Sequence, residues 1–141
     1  MKNNTIKGFN VRVYAVCIHN NKLLTLTEYF NGSLINKLPG GGLEFGEGPV
    51  ACLKREFLEE LNLEIDNITS FYIQENFVES FVKNNQQIIL LYFKVAIKNI
   101  AALVIKDSNI KKINWIELTD DSHLSLPVDQ QMFNYLKTQV N

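Results

Sequence analysis

No apolar run in this sequence approaches the roughly 20 residues that a membrane-spanning helix needs, and the polar residues 1–8 do not read as a secretory leader. Basic excess is missing too. Fourteen Lys and Arg stand against 15 Asp and Glu, a net charge of −1, which leaves no basic field for nucleic acid or an anionic membrane. Cysteine is scarce, with only Cys17 and Cys52. Cys17 lies in an apolar stretch and reads as a small buried hydrophobe. Cys52 reads as a small spacer, with a soft thiolate ligand as the alternative. Tryptophan occurs once, at Trp115, ahead of Ile116 and Leu118, and reads as core rather than as a stacking platform. Such scarcity points to a cytoplasmic chain. No repeat, linker or low-complexity tract divides it, so 1–141 is expected to be one domain.

What the sequence does hold is acid, unevenly spread. Glu44, Glu47, Glu56, Glu59, Glu60 and Glu64 put six of the 15 acids into residues 44–64. Within that stretch, Pro49 suits the first position of a helix with Gly48 as N-cap. No Gly or Pro follows until Asn62, which can take the left-handed stop. At about 100° per residue, Glu56, Glu59 and Glu60 fall within one arc. Val50, Leu53, Phe57 and Leu61 fill the arc beside it and are expected to be buried. Like charges three and four residues apart repel, and a solvated face would interleave lysines. A hard divalent cation, Mg²⁺ or Mn²⁺, is what three such carboxylates suit. Arg55 stands one turn before Glu59 and can orient it from behind. Upstream, Gly40, Gly41 and Gly42 read as a loop that lets backbone approach a ligand closely. Glu47, just before the helix, can reach back toward the metals.

Taken together, Gly41, Glu47, Arg55, Glu56, Phe57, Glu59, Glu60 and Leu63 resemble the Nudix box, the signature of the Nudix hydrolases, over residues Gly41 to Leu63. Leu38-Pro39-Gly40 extends the likeness. Asn62 stands where the family has a glycine, and asparagine is the next-best residue for a left-handed cap. The resemblance implies an α/β fold, an α/β/α sandwich around a central mixed β-sheet. It implies Mg²⁺, or Mn²⁺, held by Glu56, Glu59 and Glu60 with the Gly41 carbonyl, Glu47 helping at the edge and Arg55 supporting the catalytic carboxylates Glu56 and Glu59. The reaction it implies is hydrolysis within the diphosphate of a nucleoside diphosphate linked to another moiety, a small nucleotide-type substrate. The general base is Glu56 in some members and an acid on a later loop in others, for which Asp107, Glu79 and Glu75 are candidates.

The remaining elements follow from pattern. Strands are expected over 11–18, 22–27 and 34–38, with turns at His19-Asn20-Asn21 and Asn31-Gly32. A strand beginning at Leu63 and Ile65 is expected to turn at Asp66-Asn67, followed by another over 71–77 and a hairpin loop over 83–87. The run 88–97 (IILLYFKVAI) reads as a strand buried on both faces, 112–118 as a last strand, and 129–138 as a helix with Met132, Phe133 and Leu136 inward. His19 reads as a bystander on a turn. Tyr29, Phe30 and Phe81 are candidates to stack on a base. Residues 23–27 (LLTLT) echo a coenzyme A diphosphatase motif without its arginine, and the proline typical of ADP-ribose hydrolases is absent, so no one substrate stands out. The alternative to an enzyme is a non-catalytic Nudix-fold module that binds a nucleotide ligand. A homodimer stays open.

Overall fold

Two asparagines at positive φ, Asn20 (52°) and Asn21 (62°), fold β1 (Gly8–His19) back into β2 (Lys22–Phe30). This is the backbone a tight hairpin of right-handed twist requires. It is seen in a computed structural model that describes residues 5–80 and 85–139. Asn31 and Gly32 repeat the device into β3 (Ser33–Lys37). The glycine stretch expected as a loop is instead a strand, β4 (Gly40–Gly42), which pairs antiparallel with β1, Gly41 opposite Val13. Only glycine allows this approach. A Cβ on Gly40 would stand 2.1 Å from the Val13 carbonyl oxygen, at a φ of 137°.

Helix α1 (Pro49–Leu61) has the expected bounds. Asn62 takes the left-handed cap (φ 57°, ψ 33°), its N–H donating to the Leu58 carbonyl and that of Leu63 to Phe57. This is the paired closure that satisfies orphan carbonyls at a helix end. Leu53, Phe57 and Leu61 are buried as expected, whereas Val50 is exposed; Cys52 takes the inward place in that turn.

Past the helix, β5 (Ile65–Ile73) is one strand where two were expected. Asn67 (φ 51°) is absorbed as an irregularity between Asp66 and Thr69, since a bulge bends a strand without ending it. The expected strand over 71–77 stops at Ile73. β6 (Gln86–Ile97) pairs parallel with β1, from Gly8 opposite Gln86 to Cys17 opposite Val95, and antiparallel with β5. Of the expected hairpin loop, residues 83 and 84 lie outside the described residues, as does Phe81, and Gln86 already belongs to β6. β7 (Ile110–Glu117) pairs with β2, and α2 (Pro127–Gln139) closes the described chain.

The sheet is mixed, and a helix covers each face. Val13, Ala15, Leu24 and Leu26 meet Leu53, Phe57 and Leu61 of α1. Tyr14, Val16, Leu90 and Tyr92 meet Met132, Phe133 and Leu136 of α2. This is the expected α/β/α sandwich, and β6 is covered on both sides, more fully on the α2 side, where Ile88, Leu90 and Tyr92 are buried, while Leu91 and Phe93 on the α1 side are partly buried. Trp115 packs against the first cluster, its ring 5.8 Å from that of His19. Among the described residues no helix is long and apolar enough to cross a membrane.

One buried charge interrupts the α2 side. Asp129, in the first turn of α2, is fully buried; Oδ1 accepts from the Tyr92 hydroxyl at 2.5 Å, and Oδ2 has no partner among the described residues. Burial raises its pKa from the ordinary 3.8 to about 6, although Tyr92 and Lys37 pull the other way. A carboxyl whose folded pKa is raised stabilises the fold below its unfolded pKa and loses that contribution as pH rises through the folded value. Between pH 4 and 6 the loss is on the order of 3 kcal/mol. Asp129→Asn, which cannot ionise, should therefore raise the Tm at pH 7.5 by several degrees, and the gain should shrink toward zero at pH 4. Melting curves at the two pH values check this; a gain of equal size at both would contradict it.

Candidate active site

Arg55 organises the N-terminal side of the site. Its Nε and Nη2 clasp Glu47 at 3.0 and 2.7 Å, Nη1 reaches Glu56 at 2.8 Å and Glu59 at 3.2 Å, and Nη2 also donates to the Gly42 carbonyl at 3.1 Å. A guanidinium has five N–H donors, and here each has an oxygen. The i,i+4 contact with Glu59 was expected, and the clasp on Glu47 adds to it. Glu47 faces Arg55, which holds its pKa down at about 2, and Oε1 also accepts from the Glu44 N–H. The turn 43–48 is thereby tied onto the first half of α1.

The three helix acids do not form a uniform ridge. The Glu59 side chain is 60% exposed and that of Glu56 only 15%. The carboxyl of Glu56 sits against Gly41, where a built Cβ would stand 2.7 Å from its carbon. Glu60 is buried, and its oxygens approach those of Glu28 on β2 and Asp107 ahead of β7, all within 4.8 Å of one another. Burial first, and then a hydrogen bond to Glu56, pushes the Glu60 pKa up to about 9.

Asp107 arrives there because α1 needs its last carbonyls capped. The Val104 N–H donates to Leu61, the Lys106 N–H to Glu60 and the Lys106 ammonium to Leu58. The Asn62 side chain donates to the Ala102 carbonyl at 3.0 Å, a bond that glycine at this position could not make. Residues 102–106 thus lie along the end of the helix, and Asp107 follows directly.

These groups line a cleft of about 340 Å³ whose walls are Arg12, Glu28, Lys37, Gly40, Gly41, Gly42, Glu56, Glu59, Glu60 and Asp107. Of the candidate bases, Glu56 and Asp107 line it, and Glu75 and Glu79 do not. Tyr29 and Phe30, at the end of β2, are not among its walls. Sequence reasoning missed Arg12, Glu28 and Lys37. Arg12 and Glu28 are charges inside largely apolar strands, and that was the available signal, whereas Lys37 ends the short mixed strand β3 and carried none. The Cys52 thiol is buried 3.5 Å from the Gly42 carbonyl, and burial raises its pKa to about 12. It remains a thiol and acts as a spacer.

The NUDIX domain family matches residues 8–138. No curated protein matches the chain. A NUDIX hydrolase from Nitrosomonas europaea superposes with a TM-score of 0.74 at 20% identity, over 92% of this chain and 89% of the other. A MutT NUDIX hydrolase from Burkholderia pseudomallei gives 0.76 at 14%, over 91% and 98%. The MutT protein from Methanosarcina mazei gives 0.70 at 18%, over 94% and 96%. At such identities the likeness is one of fold.

Adjacent glycines separate fold from site in a testable way. The three atoms nearest to a Cβ on Gly41 would all belong to the end of the Glu56 side chain, which can swing aside. Gly41→Ala should keep the Tm within a few degrees, yet move Glu56 by about 1 Å, a displacement that costs roughly 100-fold in turnover where that carboxylate serves the reaction. Gly40→Ala meets backbone at a positive φ and should lower the Tm sharply. Full turnover in Gly41→Ala would show that the seat of Glu56 on Gly41 is unimportant.

Proposed function

This chain belongs to the Nudix family, and on that premise we propose that it is a Mg²⁺- or Mn²⁺-dependent pyrophosphohydrolase. It cuts a diphosphate linkage within a nucleoside diphosphate joined to another moiety. The observation that carries the reading is the meeting of Glu28, Glu60 and Asp107 oxygens within 4.8 Å beside the glycine strand. Carboxylates this close repel one another in a partly buried cleft, and a divalent cation relieves that repulsion. An all-oxygen donor set suits Mg²⁺ and Mn²⁺ rather than a soft metal. Glu56, Glu59 and Glu60 would hold it with the Gly41 carbonyl, and Glu28 and Asp107 would complete the donors from β2 and from the segment before β7.

Bound there, the cation neutralises phosphoryl charge and acidifies water. The chain's own share is positioning and proton transfer. Arg55 fixes Glu56 through Oε1, and Glu56 takes the proton of the attacking water. The water oxygen bonds to phosphorus, the anhydride P–O bond breaks, and its electron pair leaves with the departing phosphate. Asp107 lines the same cleft and is the other candidate base.

Phosphate release is to be measured from nucleoside triphosphates, dinucleoside polyphosphates, nucleotide sugars, ADP-ribose, NADH and coenzyme A. It is run with Mg²⁺ or Mn²⁺, with alkaline phosphatase added where cleavage uncovers a terminal phosphate. Release from at least one substrate, abolished by EDTA and reduced roughly 10²- to 10⁴-fold in Glu56→Gln, is the expected outcome. Millimolar Mg²⁺ should also raise the Tm, as any ligand of the folded state does. Silence across the panel without a metal-induced rise would overturn the reading and favour a non-catalytic binder.

A further inference from the structure

Two cations that line the cleft with the acids have no part in the reaction as derived above. Arg12 stands on β1 opposite Gly42. Its Nε donates to the Tyr14 hydroxyl at 2.8 Å, while Nη1 and Nη2 have no hydrogen-bond partner among the described residues. Nη1 lies 3.4 Å from where a Gly42 Cβ would be, so the guanidinium reaches across the glycine strand. Lys37 ends β3 and is 5% exposed, its Nζ in an ion pair with Glu28 at 3.5 Å. The Tyr14 ring lies against both cations, its centroid 5.7 Å from the Arg12 guanidinium carbon and 5.3 Å from Lys37 Nζ. An ammonium has three N–H donors and a guanidinium five. Most of these donors are left for a ligand rich in anionic oxygen.

The rest of the cleft narrows the ligand further. Its walls are glycine backbone, five carboxyl groups and these two cations, with no aliphatic or aromatic side chain among the described residues. Pockets that enclose an organic ring system are mostly apolar. At about 340 Å³ and with such walls, this cleft suits the charged part of a nucleotide and leaves the base outside it.

We propose that Arg12 and Lys37 form a phosphate clamp that binds non-bridging phosphoryl oxygens in the same cleft as the acids, so that recognition within this cleft is of the polyphosphate and not of the base. The clamp rests on the metal-dependent phosphate chemistry proposed above. Glu28 links its two sides, since it is both the partner of Lys37 and a member of the acid trio. A cation held by the trio engages the Glu28 charge and leaves Lys37 to the phosphate. Without a cation, Glu28, Glu56, Glu59 and Asp107 outnumber the two positive groups and repel an anion.

The test uses imidodiphosphate, a P–N–P analogue that resists hydrolysis, titrated calorimetrically into the full chain with Mg²⁺ and again with EDTA. Wild-type protein should bind it with Mg²⁺ and not with EDTA. Arg12→Met and Lys37→Met should each weaken binding at least about tenfold, the scale of a lost charge-assisted hydrogen bond. Mn²⁺ affinity, followed by electron paramagnetic resonance without phosphate, should hold or rise. Lys37→Met leaves the Glu28 charge buried alone, a change that can unfold a protein. Arg12→Met, at a partly exposed site, carries the test by itself in that event. Affinity within threefold of wild type in Arg12→Met, or no binding by the wild type with Mg²⁺, would overturn the clamp. A wild type that binds imidodiphosphate yet hydrolyses no nucleotide would keep the clamp and remove the hydrolase reading.

Discussion

The guanidinium of Arg55 is the constraint on which the site depends. Among the described residues it is the single cation ion-paired with Glu44, Glu47, Glu56 and Glu59, and it satisfies the Gly42 carbonyl as well. Without it, four acids would crowd one end of α1 with no counter-charge, and the turn that joins β4 to the helix would have little to hold it. A lysine could supply the charge but not the planar fork that meets Glu47 through two nitrogens and Glu56 through a third. Substituting Arg55 would therefore change geometry before it changed electrostatics.

The other end of the helix is organised by backbone demand. The last carbonyls of α1 need donors, and the segment between β6 and β7 supplies them from Val104 and Lys106. Asn62 ties the same segment down through its side chain. The replacement of glycine by asparagine at the cap is therefore more than a tolerated exchange, because it adds a bond on the path that brings Asp107 to Glu60. Helix capping and site assembly are one piece of chemistry here.

Features set by local rules were legible in the sequence. Pro49 and Asn62 mark both ends of α1, the Asn-rich turns mark hairpins, and the apolar run of β6 marks a strand with both faces covered. Asn67 misled because a left-handed residue reads alike as a turn or as a bulge, and only pairing with β6 decides between them. Gly40–Gly42 misled because the absence of side chains, which suggests a loop, is also what lets a strand lie against Val13 and Tyr14. The candidate site was half legible. The acids of α1 follow a helical spacing, but Arg12, Glu28 and Lys37 come from three strands and meet only through sheet register. A charge in an apolar strand hints at a partner without naming it.

The same limit explains why three glutamates that share an arc differ so much. Helical periodicity puts Glu56 and Glu60 one turn apart on one line, with Glu59 to the side of it. The rest of the fold then breaks the likeness. Gly41 receives Glu56, while β2 and the segment before β7 enclose Glu60, and Glu59 is left in solvent against Arg55. The cost of desolvation thus concentrates on Glu60, the acid that also has Glu28 and Asp107 for neighbours. An acid buried in that way stays ionised only if something of opposite charge shares the burial. Lys37 does so in part from one side through Glu28. On the reading proposed above, a divalent cation among the oxygens would complete the balance from the other.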